Sequence, residues 1–354
     1  SWYSFHQEVS PAELELQCKL SKKMGMESII VDDGWQTDDN SRGYAYCGDW
    51  EVTEKKLPNF KEHVARVHDI GMKYILWFSV PFVGKYSKAY QRFKNQILDP
   101  GEQDWYILDP RFLDVREYLI SLYESFIDRY DLDGFKLDFV DSFNCNGTNR
   151  DMLGDGRDYD SVPEAVDRLL SDALTRLRAK KPDVLIEFRQ AYIGPYMRKF
   201  GNMLRAGDVP DNIIGNRMNT LDVRLISDST PAHADMIMWH PEDSVESIAL
   251  QLLNTLFAVP QISVMLDKIP QEQTNMLQFL LRFWMDNRDV LLDGELMPQS
   301  PETLYPVVYA QNANKYLAAC YNSESMLQIP ENAQKDIILV NGSFRDRIVI
   351  DVKA

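Results

Sequence analysis

The segment Asp-Gly-Phe-Lys-Leu-Asp-Phe at residues 133–139 has the length and composition of a short buried β-strand, yet it carries two charges where an apolar run is expected. Lys136 and Asp138 are two positions apart, so on a strand their side chains point to the same side. Neither residue type is usually buried unless it is paired. A lysine beside an aspartate favours the ionised carboxylate, which can serve as a catalytic nucleophile or as half of a structural ion pair. The rest of the chain has to decide between these two roles.

Strand-like and helix-like segments alternate on both sides of this stretch, through roughly the first 290 residues. Such alternation predicts an all-parallel sheet, and eight repeats in this length fit a (β/α)₈ TIM barrel, an α/β fold. The predicted strands are 1–5, 28–31, 73–78, 135–140, 184–188, 202–205, 234–239 and 261–266, and the predicted helices are 10–24, 58–70, 115–130, 163–180, 244–257 and 271–286.

The pattern changes from about residue 296. Short β-rich segments at 304–310, 315–321, 336–340 and 347–352 are separated by Asn, Gly and Ser, which predicts a small antiparallel β-domain. We therefore expect a barrel over residues 1–293 and a β-sandwich-like domain with a structural role over residues 294–354.

Composition argues against several classes of ligand. The chain has 54 acidic and 38 basic residues, a net charge of −16, which disfavours nucleic acid and anionic membrane surfaces as partners. With five His, and with Cys18, Cys47, Cys145 and Cys320 scattered and without a CxxC pair, we expect no disulfide framework, no metal site and no cofactor. No apolar run approaches the length of a membrane span, and we find no signal peptide. The sequence does not determine the cellular compartment of the protein, and it is compatible with a homo-oligomer.

Charged residues concentrate where the predicted strands end. In a barrel of this kind the active site lies at the C-terminal ends of the strands. Carboxylates there accept hydrogen bonds from the hydroxyls of a neutral, sugar-like ligand, whereas they repel a phosphorylated one. The residues concerned are Asp32, Asp33, Lys136, Asp138, Glu187, Arg189, Arg205, Asp208 and Asp235.

Four motifs in this order resemble the α-galactosidases of glycoside hydrolase families 36 and 27, and family 36 more closely. They are Asp-Asp-Gly-Trp at 32–35, Gly-Asp-Trp at 48–50, Lys-x-Asp at 136–138 and Arg-x-Gly-Asp at 205–208. The Lys-x-Asp motif alone is a weak signal, but all four motifs in this order form a specific one. The resemblance covers roughly residues 1–290.

The resemblance implies a retaining exo-α-galactosidase, or melibiase, that removes terminal α-galactose from an oligosaccharide or glycoside. Asp138 is then the nucleophile, and Asp208 is the general acid/base, which we expect in a drier pocket that holds its proton. Retaining enzymes generally keep the two carboxyl groups about 5–5.5 Å apart. The resemblance implies substrate contacts for Asp32 and Asp33, at the 4- and 6-hydroxyls of galactose, and for Lys136, Arg205 and Asp235.

Two catalytic and binding assignments have competitors. Asp211 competes with Asp208 as acid/base, but Asp208 lies nearer the strand end, and Asp211 is predicted to N-cap the next helix. Arg189 is predicted either to contact the sugar 2-hydroxyl or to pair with Glu187.

Other residues are weaker candidates. Trp35, Trp50 and Trp77 can supply an apolar platform for the sugar ring or belong to the core. Arg111 resembles an arginine that some family members bring to the site, and it can instead form a surface salt bridge.

Two departures from the family pattern keep rival functions open. Typical family 36 enzymes have a large N-terminal β-domain, which we expect to be missing because the sequence begins at the first predicted barrel strand. Residues 187–192 lack the family's Cys-containing, Gly-rich pattern at the strand that reads the C2 substituent. An α-N-acetylgalactosaminidase, a β-L-arabinopyranosidase and a galactosyl transferase therefore remain alternatives, as does a non-catalytic carbohydrate-binding barrel.

Overall fold

The computed structural model describes residues 1–99, 104–144, 154–330 and 335–353, so that Cys145 lies outside the described residues. The helices in these ranges are α1 (Trp2–Phe5), α2 (Pro11–Lys23), α3 (Phe60–Asp69), α4 (Lys88–Phe93), α5 (Leu113–Tyr130), α6 (Val162–Lys180), α7 (Ile213–Ser227), α8 (Val245–Asn254) and α9 (Gln271–Leu292). The strands are β1 (Ser28–Val31), β2 (Lys73–Ser79), β3 (Phe82–Gly84), β4 (Ile97–Asp99), β5 (Trp105–Leu108), β6 (Gly134–Asp138), β7 (Leu185–Arg189), β8 (Met203–Arg205), β9 (Ala232–His233), β10 (Glu295–Gln299), β11 (Val307–Gln311), β12 (Lys315–Cys320), β13 (Met326–Pro330), β14 (Asp336–Asn341) and β15 (Val349–Lys353).

The chain forms two compact units. The first comprises Ser1–Tyr192 with Lys199–Asn202, and the second comprises Ile193–Arg198 with Met203–Ala354. Both contain parallel strands connected through helices, which confirms the predicted α/β class. No helix in the described ranges is both long and apolar enough to cross a bilayer.

Four parallel strands form the sheet of the first unit. β1 pairs with β2, β2 with β6, and β6 with β7. Every residue of β6 is buried, as expected of a parallel strand covered on both faces. Trp77, Lys136 and Glu187 are register partners across β2, β6 and β7, so they form one row on the same side of the sheet. Lys136 of the opening segment thus belongs to this row, and Asp138, two residues further on, is in register with Ser79 of β2.

The insertion between β2 and α5 contains more structure than the sequence indicated. β3, β5 and β4 form a small antiparallel sheet, and α4 lies between β3 and β4. A Cβ atom at Gly84 would lie 2.2 Å from the backbone of Ala45. Only glycine therefore allows β3 to contact the loop that follows β1 this closely.

The first predicted strand is wrong. Residues 2–5 form the single helical turn α1, in which Phe5 N donates to Ser1 O at 2.9 Å and His6 N donates to Trp2 O at 2.8 Å. The local bonds satisfy backbone groups that a strand would have presented to a neighbour.

The last two predicted barrel strands are also wrong. β9 ends at His233, and the predicted strands 234–239 and 261–266 are joined only by an isolated bridge between Ile237 and Ile262. The side chain of Asn216 on α7 bonds both the N–H and the C=O of Asp235, at 3.0 and 3.1 Å, which occupies groups a strand ladder would use. Pro260 has no N–H to donate. Among the described residues, six of the eight predicted barrel positions are thus occupied by strands of the parallel sheet, namely β1, β2, β6, β7, β8 and β9.

The C-terminal strands are mixed rather than purely antiparallel. β10, β11 and β12 pair antiparallel, whereas β14 is parallel to β12 and β15 is parallel to β13. β10 and β13 were not predicted. Side chains of α7 and α9 share one apolar core with β11 and β12, including Leu221, Val290, Val308 and Leu317. A domain boundary at residue 293 stays a prediction, although α9 ends and β10 begins close to it.

Candidate active site

Asp138 is the last residue of β6, and its carboxylate is buried and held from both sides. Phe139 adopts a left-handed conformation (φ 62°), which ends the strand and brings its N–H to Asp138 Oδ1 at 2.8 Å. Arg189 Nε donates to the same oxygen at 2.7 Å. Trp77 Nε1 donates to Oδ2 at 3.0 Å, and Lys136 Nζ lies 3.9 Å from Oδ2. Two cations and two neutral donors therefore surround this carboxylate and fix its orientation at the strand end.

Asp32, at the end of β1, is bound by the second charge of the β6 motif. Lys136 Nζ donates to Asp32 Oδ2 at 2.6 Å, and both side chains are buried. Burial raises the pKa of Asp32, but the charge of Lys136 and the hydrogen bonds to the carboxylate outweigh it, so that the pKa lies below its ordinary value. Lys136 thus lies between Asp32 and Asp138, nearer to Asp32.

Asp33 has no such cation at hydrogen-bond distance among the described contacts. Gln7 Nε2 donates to its Oδ2 at 2.8 Å, and Gln36 Nε2 donates to its Oδ1 at 2.6 Å. Asp33 is 2% exposed, and this burial raises its pKa to about 6. Two adjacent aspartates therefore have pKa values shifted in opposite directions, an arrangement common where acid and base roles are divided.

The tryptophans form an aromatic layer next to these carboxylates. Trp77 is 1% exposed, and Trp50 is 3% exposed with its ring centroid 5.9 Å from that of Trp77. Trp35 stacks on Trp50 at 5.8 Å and donates from Nε1 to Trp77 O at 2.9 Å. The layer is part of the core, and Trp77 turns its N–H to Asp138. A sugar contact for Trp50 and Trp77 stays a prediction.

The second unit holds its own charged cluster, centred on Arg205 at the end of β8. The fully buried Arg205 lies 2.5 Å from Asp235 Oδ1 through Nη1 and 2.7 Å from Asp208 Oδ1 through Nη2. Val209 N donates to Asp235 Oδ2 at 2.7 Å. Burial raises the pKa of Asp235, although Arg205 opposes the shift. The side chain of Asp208 is 49% exposed, so the expected dry pocket around it is wrong.

Three further expectations are corrected. The N-cap of α7 is Asn212, whose side chain accepts from Gly215 N at 2.8 Å, and not Asp211, which has a left-handed φ of 54°. Arg189 pairs with Asp138, a partner that neither of its two predicted roles, a contact to the sugar 2-hydroxyl or a pair with Glu187, had included. Arg111 forms no surface salt bridge, because it and its partner Asp109 are both fully buried, 2.9 Å apart.

Three residues near the site were missed by the sequence analysis: Gln7, Gln36 and Tyr44. Burial and then the charges of Asp33 and Asp138 raise the pKa of Tyr44 above its ordinary value, and its ring stacks on that of Trp77 with centroids 6.4 Å apart. Gln36 directly follows the Asp-Asp-Gly-Trp motif, so its position was a usable signal. Gln7 lies 26 residues before Asp33, and no pattern in the sequence connects them.

The predicted site residues thus occur in two groups, each at the C-terminal ends of parallel strands. Within the ranges that the structure covers, no group of three or more His, Cys, Asp or Glu side chains is arranged to hold a metal ion. The first unit brings together Asp32, Asp33, Trp50, Trp77, Lys136, Asp138 and Arg189, and the second unit brings together Arg205, Asp208 and Asp235.

Curated proteins similar to this chain include several named as α-galactosidases. α-Galactosidase Mel36A of Lactobacillus acidophilus is 28% identical over 200 residues, which is 53% of this chain and 26% of that protein. α-Galactosidase 1 of Pediococcus pentosaceus is 28% identical over 148 residues, which is 39% of this chain and 20% of that protein. The chain therefore matches about a quarter or less of the length of these relatives.

Solved structures show the same fold at lower identity. The α-galactosidase AgaA of Geobacillus stearothermophilus, a glycoside hydrolase family 36 enzyme, superimposes with a TM-score of 0.75 at 18% identity, over 88% of this chain and 45% of that one. A variant of that enzyme in complex with raffinose gives a TM-score of 0.75 at 16% identity, with the same shares of 88% and 45%.

A family model extends the comparison from single relatives to a family. The Melibiase model matches residues 1–188, which contain β1 to β6 and most of β7, together with the motifs of the first unit. The match covers more than half of the 354 residues. It confirms the resemblance drawn from the motifs, and the chain belongs to the Melibiase family.

Proposed function

We propose that the chain is the catalytic part of a retaining exo-α-galactosidase. The observation that carries the proposal is the environment of Asp138. A nucleophilic carboxylate must be ionised and fixed in orientation, and Asp138 has Arg189 and Lys136 for charge and Trp77 and the Phe139 N–H for orientation. The names of the curated relatives support the same activity.

In the proposed reaction Asp138 attacks the anomeric carbon and the bond to the leaving oxygen breaks, while Asp208 gives that oxygen its proton. A galactosyl ester on Asp138 is formed. In the second step water attacks the anomeric carbon, Asp208 takes the proton of this water, and the ester bond to Asp138 breaks. Two inversions give a product with the original configuration.

The carboxylates at the strand ends account for the choice of sugar. We assign Asp32 and Asp33 to the 4- and 6-hydroxyls of galactose, and Lys136, Arg205 and Asp235 to further hydroxyls and to the orientation of the carboxylates. Trp50, Trp77 and Arg189 are assigned to the same binding site. The ligand is neutral, which agrees with the net charge of −16.

Oligosaccharides with a terminal α-galactose are the proposed substrates. Variants of AgaA of Geobacillus stearothermophilus were solved in complex with raffinose and with stachyose. The α-galactosidase of Thermus thermophilus, TM-score 0.60, was solved with p-nitrophenyl α-D-galactopyranoside. We transfer this substrate class to the present chain as part of the proposal.

Replacing the proposed nucleophile tests the function. Asp138→Ala should reduce turnover of an aryl α-galactoside by about a thousandfold or more, because no ester can form. Added azide should partly restore turnover and give β-galactosyl azide, since it enters from the face that the carboxylate occupied. Asp141→Ala is the matched control, because Asp141 is an exposed aspartate three residues further on.

Turnover of Asp138→Ala at the rate of the wild-type chain would refute the nucleophile assignment. A wild-type chain without turnover of any α-galactoside would refute the function itself.

A further inference from the structure

The side chain of Arg189, the last residue of β7, lies against the carboxylate of Asp138. Asp138 follows Lys136 by two residues on β6, and Arg189 follows Glu187, the register partner of Lys136, by two residues on β7. Because side chains alternate along a strand, Asp138 and Arg189 point to the same side of the sheet as this pair. The ion pair between them is thus a consequence of strand register.

Several contacts besides this ion pair hold the guanidinium of Arg189. Its Nη1 donates to Gln190 O at 2.8 Å. Its central carbon lies 5.2 Å from the ring centroid of Phe139 and 5.7 Å from that of Tyr192, distances at which a cation is attracted to a ring. The Tyr192 hydroxyl in turn donates to Leu137 O at 2.7 Å. The side chain of Arg189 is 16% exposed, and these contacts keep its charge beside Asp138.

The two oxygens of the Asp138 carboxylate have different partners. Oδ1 accepts from Arg189 Nε at 2.7 Å and from Phe139 N at 2.8 Å, so both of its lone pairs are in use. Within the described residues, Oδ2 accepts one hydrogen bond, from Trp77 Nε1 at 3.0 Å, and Lys136 Nζ is 3.9 Å away. Oδ2 therefore keeps a lone pair that can form a bond to carbon.

We propose that Arg189 is a positioning residue that acts through Asp138, leaving Oδ2 as the attacking oxygen and accelerating the second step of the double displacement. In the galactosyl ester Oδ2 is bonded to the anomeric carbon, and Oδ1 is the carbonyl oxygen that faces Arg189. When water attacks this carbon, its bond to Oδ2 breaks, the electron pair returns to the carboxylate, and Asp208 takes the proton of the water. The inference rests on the proposed function and adds the residue that controls the departure of the nucleophile.

The charge of Arg189 acts in opposite directions on the two steps. In the first step the negative charge of the Asp138 carboxylate is lost into the new bond, so the ion pair with Arg189 weakens. In the second step negative charge returns to the carboxylate, and the ion pair strengthens as the transition state forms. An interaction accelerates a step when it is stronger in the transition state than in the ground state. Arg189 should therefore accelerate the loss of the ester and not its formation.

Arg189→Gln tests the inference with α-galactosyl fluoride, whose leaving group needs no proton, so that loss of the ester limits kcat. The variant removes the charge and keeps a polar side chain. It should lower kcat by about ten- to a hundredfold, the size expected for one charged hydrogen bond, and kcat/KM, which reports ester formation, by less than about threefold. KM should fall with kcat. Mass spectrometry should find the galactosyl ester on the peptide that contains Asp138.

Two further variants are the comparisons. Arg189→Lys restores a positive charge, so its kcat should lie between those of Arg189→Gln and the wild-type chain. Arg129→Gln is the matched control, because the guanidinium of Arg129 also lies over a ring, 4.8 Å from the centroid of Tyr130. α5 ends at Tyr130, just before β6 begins, so this arginine is at the opposite end of β6 from Asp138. Arg129→Gln should leave kcat and KM unchanged.

Three results would overturn the inference. If Arg189→Gln lowers kcat and kcat/KM by the same factor and no ester accumulates, Arg189 only supports the position of Asp138 in both steps. A loss that disappears with 2-deoxy-α-galactosyl fluoride would assign Arg189 to the sugar 2-hydroxyl. A kcat of Arg189→Lys no higher than that of Arg189→Gln would exclude a role for the charge. Absence of turnover of α-galactosyl fluoride by the wild-type chain would instead contradict the proposed function, and the inference with it.

Discussion

Two adjacent aspartates show how the environment separates identical side chains. Asp32 is bound by Lys136 and has a lowered pKa, whereas Asp33 is bound by two neutral amides and has a pKa of about 6. At neutral pH both carry a negative charge, but only that of Asp32 is compensated by a cation at 2.6 Å. A buried charge without such a cationic partner destabilises the fold. Buried charges of this kind are common at sites that bind a ligand.

Asp33→Asn should therefore change the pH dependence of stability. The folded pKa of about 6 lies above the ordinary value of 3.8, so folding is favoured by protonation, and this contribution is lost as the pH rises through 6. Relative to the wild-type chain, the variant should gain up to about 3 kcal/mol in the free energy of unfolding between about pH 4 and about pH 7. Urea unfolding at both pH values measures the difference.

Asp32→Asn is the comparison for that measurement. Because the pKa of Asp32 is lowered, its contribution is present above the ordinary value and is lost as the pH falls through the folded pKa. As the pH rises, the free energy of unfolding of Asp33→Asn should therefore increase relative to the wild-type chain, whereas that of Asp32→Asn should decrease. If the free energy of unfolding of Asp33→Asn differs from that of the wild-type chain by the same amount at both pH values, a raised pKa of Asp33 is contradicted.

At the scale of elements, the pairing of β6 with β7 fixes the row of charged residues. Gly134 lies at the start of β6, and a Cβ atom there would be 2.3 Å from Leu185 O on β7. The two strands approach each other this closely only because position 134 has no side chain. Lys136 and Asp138 follow on the same strand, so their placement depends on this contact.

Gly134→Ala should destabilise the chain by about 1–3 kcal/mol, because the backbone of β7 has to move. It should also lower kcat for an aryl α-galactoside, since Lys136 and Asp138 shift with β6. Urea unfolding and initial rates measure the two effects. Gly43→Ala is the control, since the nearest atom to its added Cβ is the Ser41 hydroxyl at 3.6 Å. Equal stability of the two variants would refute the importance of the close approach.

Elements with strong local signals were predicted well. The Ser-Pro start at residues 10–11 agrees with α2 beginning at Pro11, and β1 has the predicted bounds Ser28–Val31. The predicted strands at 234–239 and 261–266 form no more than one bridge, because the side chain of Asn216 bonds both backbone groups of Asp235. Such long-range bonds leave no periodic pattern in a sequence.

The candidate site was predictable only where motifs are contiguous. The Lys-x-Asp motif led to Asp138 and the Asp-Asp-Gly-Trp motif to Asp32, and the structure brings both into contact with Lys136. Gln7 lies far before these motifs in the sequence, and Tyr44 lies in the loop between Asp-Asp-Gly-Trp at 32–35 and Gly-Asp-Trp at 48–50. Their proximity follows from the folded loops and not from any local preference.

At the scale of the whole molecule, the proposed function requires a neutral ligand and two carboxylates with different roles. The chain has 54 acidic and 38 basic residues, and the resulting negative charge does not repel a neutral glycoside. Asp138 is held by two cations, whereas Asp208 is half-exposed and has Arg205 as partner. These environments suit a fixed nucleophile and a group that exchanges protons with water and with a leaving oxygen.

The most direct test of this account is mass spectrometry of Asp208→Ala after mixing with an α-galactoside whose leaving group needs no proton. The first step then proceeds without the acid, but the second is slow because no base activates water. The account predicts a galactosyl ester that accumulates on the peptide containing Asp138. A galactosyl group on any other residue, or turnover at the wild-type rate without a labelled peptide, would contradict the proposed roles of Asp138 and Asp208.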